Sequence, residues 1–534
     1  MSLNRRSFFR RSGLIAASAI SAPAYVRAAG DVTAAPGEKP RHIIHLVADG
    51  MSMATLTCAD HLSQHMRRKG LTWIDLYNRR EVVSSLMNVR ALNSLVTDSA
   101  ASASAWGSGS RVVNGAINIL PDGRQLKTLY SLFGEAGWKR GLVTTVEITH
   151  ATPSGFAINV TSRGSSEDIA KQLFERKIDL MLGGGRDFFD KAKRKDKRDL
   201  SGEFTRAGYT LMKTKAELAN APADTKWLGL FAGSHLPFTI DHLNTPKTLA
   251  EIPTLAEMTE AALKKLEREP HFVLQVEGGR VDQGAHLNDA AAAFRDQIAF
   301  DEALDVCLAF QKRHPDTLLV ITTDHGTGNP GLNAAGKEYN LSGPLFQNIP
   351  KIRKSLGEMT RQIKGLANFD GESYKGDAPQ KGKIVEPGAI ADIVHAASGY
   401  RPSLKRCTKY HQFLGGKGDA LYDLTNNTDY QLGQMLGNYV GIGWTSTNHT
   451  SDYVPILATG PGAEKFRGFV QNTDVFRHYT SLAGIDFRNP ELPLMAESGP
   501  SASEAEGKNL SPDRRLGIGC AGARPVLSWE QTTP

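Results

Sequence analysis

Nearly unbroken apolar runs recur along the chain, at residues 42–48, 141–146, 178–182, 227–231, 271–276, 317–322 and 453–458. Each has the length of a strand, and none alternates apolar with polar as a strand with one wet face does. Such runs are expected in a parallel sheet covered on both sides. Helical periodicity lies between them. It is clearest over residues 289–313, where Ala293, Phe294, Ile298, Ala303, Leu304, Cys307, Leu308 and Phe310 keep a three-to-four spacing. The alternation predicts an α/β fold, a three-layer α/β/α sandwich around a mostly parallel central sheet, with ligands gathered at the carboxyl ends of strands. From about residue 333 to 443 the pattern gives way to Gly, Lys, Asn and Asp, with one short helical patch at 390–397. That stretch reads as an insertion between late strands of a domain spanning 41–498.

The polar residues that follow these runs change the picture from architecture to chemistry. Asp49 follows the first run, Glu147 and His150 the second, Glu277 and Asp282 a later one, and Asp324 with His325 the next. The stretch Glu277-Gly-Gly-Arg-Val-Asp282-Gln-Gly-Ala-His286 puts three possible ligands within ten residues, and His449 adds another imidazole. Oxygen with imidazole suits zinc, and carboxylate with hydroxyl suits magnesium. Any one of these residues alone is an ordinary turn or loop residue, but several at one sheet edge are not independent turns. Residues 96–106, VTDSAASASAW, read as a turn that starts a helix of small residues, with Ser99 in the first turn. Unpaired N–H groups and the helix dipole there favour a phosphate, and Ser99 is the candidate nucleophile. Gly183-Gly184-Gly185-Arg186 lacks the lysine of a P-loop and the Rossmann spacing, so it reads as a tight turn.

Charge and composition refine this at the two ends. Paired Arg5 and Arg6 before Phe8 and Phe9, an apolar run at 13–22, and Val26-Arg27-Ala28 read as a twin-arginine export signal over 1–28, followed by a linker over 29–40. The apolar run is shorter than the roughly 18 residues that a membrane span needs. The expected destination is the periplasm or beyond, by way of the twin-arginine export machinery, with no membrane span once the signal is removed. The formal net charge is +7, and Arg5, Arg6, Arg10, Arg11 and Arg27 supply five of it with no acid before Asp31. The remainder is nearly neutral, so no nucleic-acid partner is expected. The basic cluster at 191–198 is interrupted by Asp196 and flanked by Asp190 and Asp199, as in a solvated loop. Cys58, Cys307, Cys407 and Cys520 are too scattered for a disulfide framework. Residues 499–534, rich in Ser, Glu, Gly and Pro, read as a C-terminal tail.

Taken in order, HLVADGMS (45–52), VTDSAASASAW (96–106), THATPSGFAINVTSR (149–163), LQVEGGRVDQGAH (274–286), ITTDHGTG (321–328) and TSTNHT (445–450) resemble the alkaline phosphatase family. The resemblance implies two zinc ions, one held by Asp282, His286 and His449 and the other by Asp49, Asp324 and His325. It implies one magnesium ion shared by Asp49, Thr152 and Glu277, and a phosphate-gripping arginine, Arg163. Small phosphomonoesters are the implied substrates, and a homodimer is the implied assembly. Where some bacterial members carry an aspartate and a lysine beside the metals, this chain has His150 and Gln283. Ser52 stands where glycine is common. A sulfatase is disfavoured, because the residues after Ser99 lack the Pro and Arg that its nucleophile requires. A phosphodiesterase of the same superfamily usually offers threonine in that position.

Overall fold

The computed structural model describes residues 39–366, 385–415 and 422–495. The strands in chain order are β1 (His42–Val47), β2 (Val83–Asn88), β3 (Lys139–Glu147), β4 (Leu180–Gly184), β5 (Tyr209–Met212), β6 (Lys226–Leu230), β7 (Phe272–Glu277), β8 (Thr317–Thr322), β9 (Gly326–Thr327), β10 (Gly331–Leu332), β11 (Ile442–Gly443), β12 (His449–Thr450), β13 (Val454–Thr459) and β14 (Phe469–Gln471). Ten of them form one sheet in the order β14-β2-β13-β8-β1-β7-β3-β4-β6-β5. Among the described residues only β13 runs antiparallel to its neighbours in that sheet, β2 and β8. The short pairs β9–β12 and β10–β11 are antiparallel ribbons.

The three layers follow from the alternation of side chains along a strand. In β1, Ile44 and Leu46 join one buried apolar cluster, while Ile43 and Val47 join another on the opposite face. The central strands β1, β7 and β8 are buried at every position, as their unbroken apolar runs require. The Ala290–Arg313 helix, capped by Asp289 accepting from Ala292 N, packs on the first face. The Ser99–Ser108 helix packs on the second. It is buried along its whole length, and its small residues permit this: a Cβ at Gly107 would overlap the backbone of Gly155.

Two expectations are corrected. The stretch 333–443 carries more helix than its composition suggests: Ser342–Phe346, Leu356–Leu366, Leu404–Leu414 and Thr428–Val440, besides Pro387–Ser398, which contains the expected patch at 390–397. In the second of these Leu356, Met359 and Ile363, with Thr360 beside them, are buried, so apolar residues are sparse but correctly spaced. Strands β2, β5 and β14 were also absent from the sequence reading. The first alternates buried with exposed positions, and the other two are short and lie at the sheet's edges. Cys58, Cys307 and Cys407 are buried free thiols. The export signal at 1–28, nearly all of the linker, residues 367–384 and 416–421, Cys520 and the tail at 499–534 lie outside the described residues. Among the described residues no helix is long and apolar enough to cross a membrane.

Candidate active site

Strand order decides where the polar residues meet. β8, β1, β7 and β3 are neighbours and parallel, so the residues just beyond their carboxyl ends share one edge. Asp49 follows β1, Glu277 ends β7, Asp324 and His325 follow β8, and His150 and Thr152 follow β3. Asp282 and His286 sit one turn apart on the Arg280–His286 helix after β7, and His449 arrives on β12, paired to the β9 ribbon. Gly50 makes the approach possible: its φ is +68°, and a Cβ there would overlap Asp282. Ser52, at the position where glycine is common, caps the Met53–Arg67 helix by accepting from Thr55 N.

Each expected ligand set is brought together. His286 Nε2 lies 3.3 Å from Asp282 Oδ2, His449 Nε2 lies 3.7 Å from Asp282 Oδ1, and the two imidazole nitrogens are 3.0 Å apart. Backbone carbonyls fix both rings: His286 Nδ1 faces Thr447 O at 2.5 Å and His449 Nδ1 faces Thr97 O at 2.9 Å. A carbonyl can only accept, so each Nδ1 carries a hydrogen, and in the neutral ring each Nε2 then presents a lone pair to the shared space. His325 Nε2 lies 3.1 Å from Asp324 Oδ2 and 3.6 Å from Asp49 Oδ1. Thr152 Oγ1 donates to Asp49 Oδ2 at 3.1 Å, and Asp49, Glu277 and His150 offer ligand atoms within 4.8 Å of one another. Gln283 points elsewhere: its Nε2 is 2.9 Å from His235 Nε2, and its Oε1 accepts from Arg280.

These carboxylates are buried without the partners that burial demands. Asp49 Oδ1, Glu277 Oε1, Asp324 Oδ2 and His150 Nδ1 have no hydrogen-bond partner. Burial, then the charges of Asp324, Asp282 and Glu277, pushes the Asp49 carboxyl well above its ordinary value. Burial also raises Glu277, to about 8. Against burial, the imidazoles of His286 and His449 hold Asp282 well below its usual range. Burial, reinforced by the Arg163 guanidinium, lowers His150 to about 3. Crowded anions with orphaned oxygens, beside imidazoles with aligned lone pairs, are the donor set that divalent cations satisfy.

Ser99 begins its helix inside this cluster. Asp98, not Ser99, is the cap: its Oδ1 accepts from Ala101 N at 2.9 Å, and its Oδ2 accepts from Gly115 N at 3.0 Å. The Ser99 hydroxyl instead faces His325 Nε2 at 3.1 Å. Arg163 spans two anchors, donating to Asp98 Oδ2 at 3.1 Å and lying 3.1 Å from His150 Nε2. The sequence reading missed His235, Thr144 and Thr327. Thr144 donates to Glu277 Oε2 and Thr327 to Asp282 Oδ1, both at 2.6 Å, and these hydroxyls orient the carboxylates. His235 lies just beyond β6, so its strand-end position was a usable signal.

Fold and site together define an α/β/α protein with carboxylates, imidazoles and a serine hydroxyl gathered at the carboxyl edge of its sheet, a donor set suited to divalent cations. Comparison sharpens that class to a family. Residues 40–485 match the family described as Alkaline phosphatase. The chain belongs to the alkaline phosphatase family, the metal-dependent phosphoric monoester hydrolases. It is 31% identical over 447 residues to Alkaline phosphatase 3 of Bacillus subtilis (strain 168), covering 82% of this chain and 88% of that one. It is 32% identical over 468 residues to the repressible alkaline phosphatase of Saccharomyces cerevisiae (strain ATCC 204508 / S288c), covering 79% and 76%. The crystal structure of Thermus thermophilus alkaline phosphatase superposes with a TM-score of 0.76 at 32% identity, over 89% of this chain and 98% of that chain.

Proposed function

We propose that this protein is an exported alkaline phosphatase that hydrolyses phosphate monoesters through a phosphoserine at Ser99, using two zinc ions and one magnesium ion. Asp282, His286 and His449 would hold one zinc, Asp49, Asp324 and His325 the other, and Asp49, Thr152 and Glu277 the magnesium. The orphaned oxygens of Asp49, Glu277 and Asp324 support that assignment. Bound there, divalent cations supply Lewis acidity that lowers a hydroxyl pKa and neutralises phosphoryl oxygens.

The chain's own residues do the rest. The substrate phosphoryl group is received at the start of the Ser99–Ser108 helix, where free N–H groups and the dipole favour negative charge. The Arg163 fork can take two of its oxygens, and Asp98 holds that guanidinium in place. Ser99 Oγ attacks phosphorus in line with the departing alkoxide, giving phosphoserine. Water then attacks the same phosphorus from the opposite side, releasing phosphate and restoring Ser99. His150 and Gln283 act beside this path: His150 lies against Arg163, and Gln283 ties His235 to Arg280. The twin arginines Arg5 and Arg6 support delivery to the periplasm or beyond.

The observation that carries this reading is the uncapped Ser99 hydroxyl among the ligand carboxylates. Acid trapping of labelled phosphate, followed by peptide mapping, tests it. Label is expected on the 96–106 peptide of the wild type, and Ser99→Ala should lose it together with several orders of magnitude in turnover. Label that persists in Ser99→Ala would place the nucleophile elsewhere.

A further inference from the structure

At the opposite edge of the sheet, about 20 Å from Asp49 by the rise of a six-residue strand, a second group of ligand-bearing side chains converges. His42 opens β1, and His314 and Asp316 form the turn between the Ala290–Arg313 helix and β8. One ligand atom from each lies within 4.8 Å of the others. We infer that His42, His314 and Asp316 form a separate binding site for a zinc-like divalent cation, outside the catalytic cluster.

Several independent features support the assignment. His42 is 2% exposed, yet its Nδ1 has no hydrogen-bond partner. A buried ring nitrogen left bare is costly, and a cation in contact with it would remove that cost. The rings are held in place by stacking: His42 on Phe272 with centroids 4.3 Å apart, and His314 on Phe310 at 4.3 Å. Burial lowers the His42 pKa to about 4, so it meets a metal as the neutral base with no proton to displace. Glu267 Oε2 stands 3.7 Å from His314 Nε2, close enough to orient that ring or balance charge. His314 also terminates a 24-residue helix, whose C-terminal carbonyls favour a cation. Among the described residues the cation paired with Asp316 is Arg41, at 3.5 Å, through a side chain that is 55% exposed and also donates from Nε to Pro270 O at 3.3 Å; a bound metal would displace its guanidinium from Asp316. Two imidazoles with one carboxylate are a zinc-type donor set with room for water in the remaining position. Occupied, the site would tie the start of β1 to the turn that leads into β8, a structural role rather than a catalytic one.

The experiment uses purified holoenzyme equilibrated with zinc and passed through gel filtration, with zinc per chain counted by elemental analysis. His314→Ala and Asp316→Asn, both at partly exposed positions, are each expected to carry one zinc per chain fewer than wild type at unchanged monoesterase turnover. Added zinc should raise the melting temperature of the wild type more than that of either variant. Equal zinc content in wild type and both variants would overturn the site. So would zinc loss that proceeds in step with lost turnover, since the missing ion would then be a catalytic one. His42→Phe keeps the stack on Phe272 and should match the other two; if it does not fold, the two surface variants still decide.

Discussion

Asp49 and Asp179 are both buried carboxylates at the ends of parallel strands, and what surrounds them differs in sign. Asp179, just before β4, meets Arg140 Nε at 3.1 Å and Lys226 Nζ at 3.3 Å, with Lys139 Nζ at 3.9 Å. Asp49, just after β1, faces Glu277, Asp282 and Asp324, and one of its oxygens has no partner. The first arrangement is electrostatically complete as it stands. The second holds more carboxylate than its neighbours match, and either protonation or added cations relieves it, because burying several anions together costs far more than their hydrogen bonds return. A carboxylate matched within the chain supports the fold, while one left unmatched at the carboxyl edge marks chemistry.

Removing divalent metal should therefore separate the two edges most sharply. With excess chelator, monoester turnover should fall at least roughly 10³-fold, since several kcal/mol of charge stabilisation is withdrawn. Zinc with magnesium should restore it. A chromogenic monoester assay checks this, and undiminished turnover in chelator would remove the basis for the contrast. Asp179→Ala is the converse. It leaves the part-buried Arg140 guanidinium without its counter-charge, though still donating to the carbonyls of Tyr130, Arg176 and Lys177, and should cost on the order of 1.5–3 kcal/mol of stability by denaturant melting. Turnover per folded molecule should stay near wild type, and a loss of turnover at unchanged stability would contradict the assignment.

How much of this contrast was legible beforehand depended on burial symmetry. β1, β7 and β8 announce themselves because both faces are covered, and the residues after them are conspicuous because polarity returns abruptly. β2 reads VSSLMN, with exposed positions between buried ones, and nothing in that string separates it from a loop. Asp98 and Ser99 were legible as a helix start. That Asp98 does the capping, which frees the Ser99 hydroxyl, is settled only by geometry. Thr144 lies inside β3 and looks like any strand threonine until Glu277 is found 2.6 Å from its hydroxyl. The helices of 342–440 other than the expected patch at 390–397 were obscured because glycines and polar residues interrupt their apolar positions.

Arg163 lies at the boundary of the comparison, a cation at the anionic edge that is held by Asp98 and lies against His150, and that the proposed mechanism assigns to the substrate phosphate. Arg163→Ala should cost about 2–4 kcal/mol of transition-state stabilisation, roughly 10²-fold to 10³-fold in kcat/KM. Phosphoenzyme should still form, because Ser99 and the ligand set remain. Lysine should not rescue it, since a point charge cannot take two oxygens in a plane. Full rescue by Arg163→Lys would show that charge alone matters there.

Gln283 offers the finest test of where the functional edge stops. It lies on the same short helix as Asp282 and His286, yet its amide bonds to His235 and Arg280 rather than to any ligand carboxylate. His235 is held in turn by Glu147 N at 3.3 Å, and Glu147 Oε1 accepts from Ser234 at 2.6 Å. Gln283 thus belongs to a hydrogen-bonded patch with His235, Arg280 and Glu147 beside the anionic cluster, and its expected effect on catalysis is to keep that wall in place. Gln283→Ala removes two hydrogen bonds of ordinary strength, each worth about 0.5–1.5 kcal/mol net, and part of that is recovered by water at the pocket wall. The expected change in kcat/KM is therefore within about tenfold, with phosphoenzyme formation intact. Gln283→Lys brings a cation next to Arg280 and His235, so it should lower stability even if it tightens phosphate binding. Steady-state kinetics and melting on both variants check this. A loss from Gln283→Ala as large as that from Arg163→Ala would mean that the amide contacts substrate directly, and the boundary drawn here between the two kinds of polar residue would have to move.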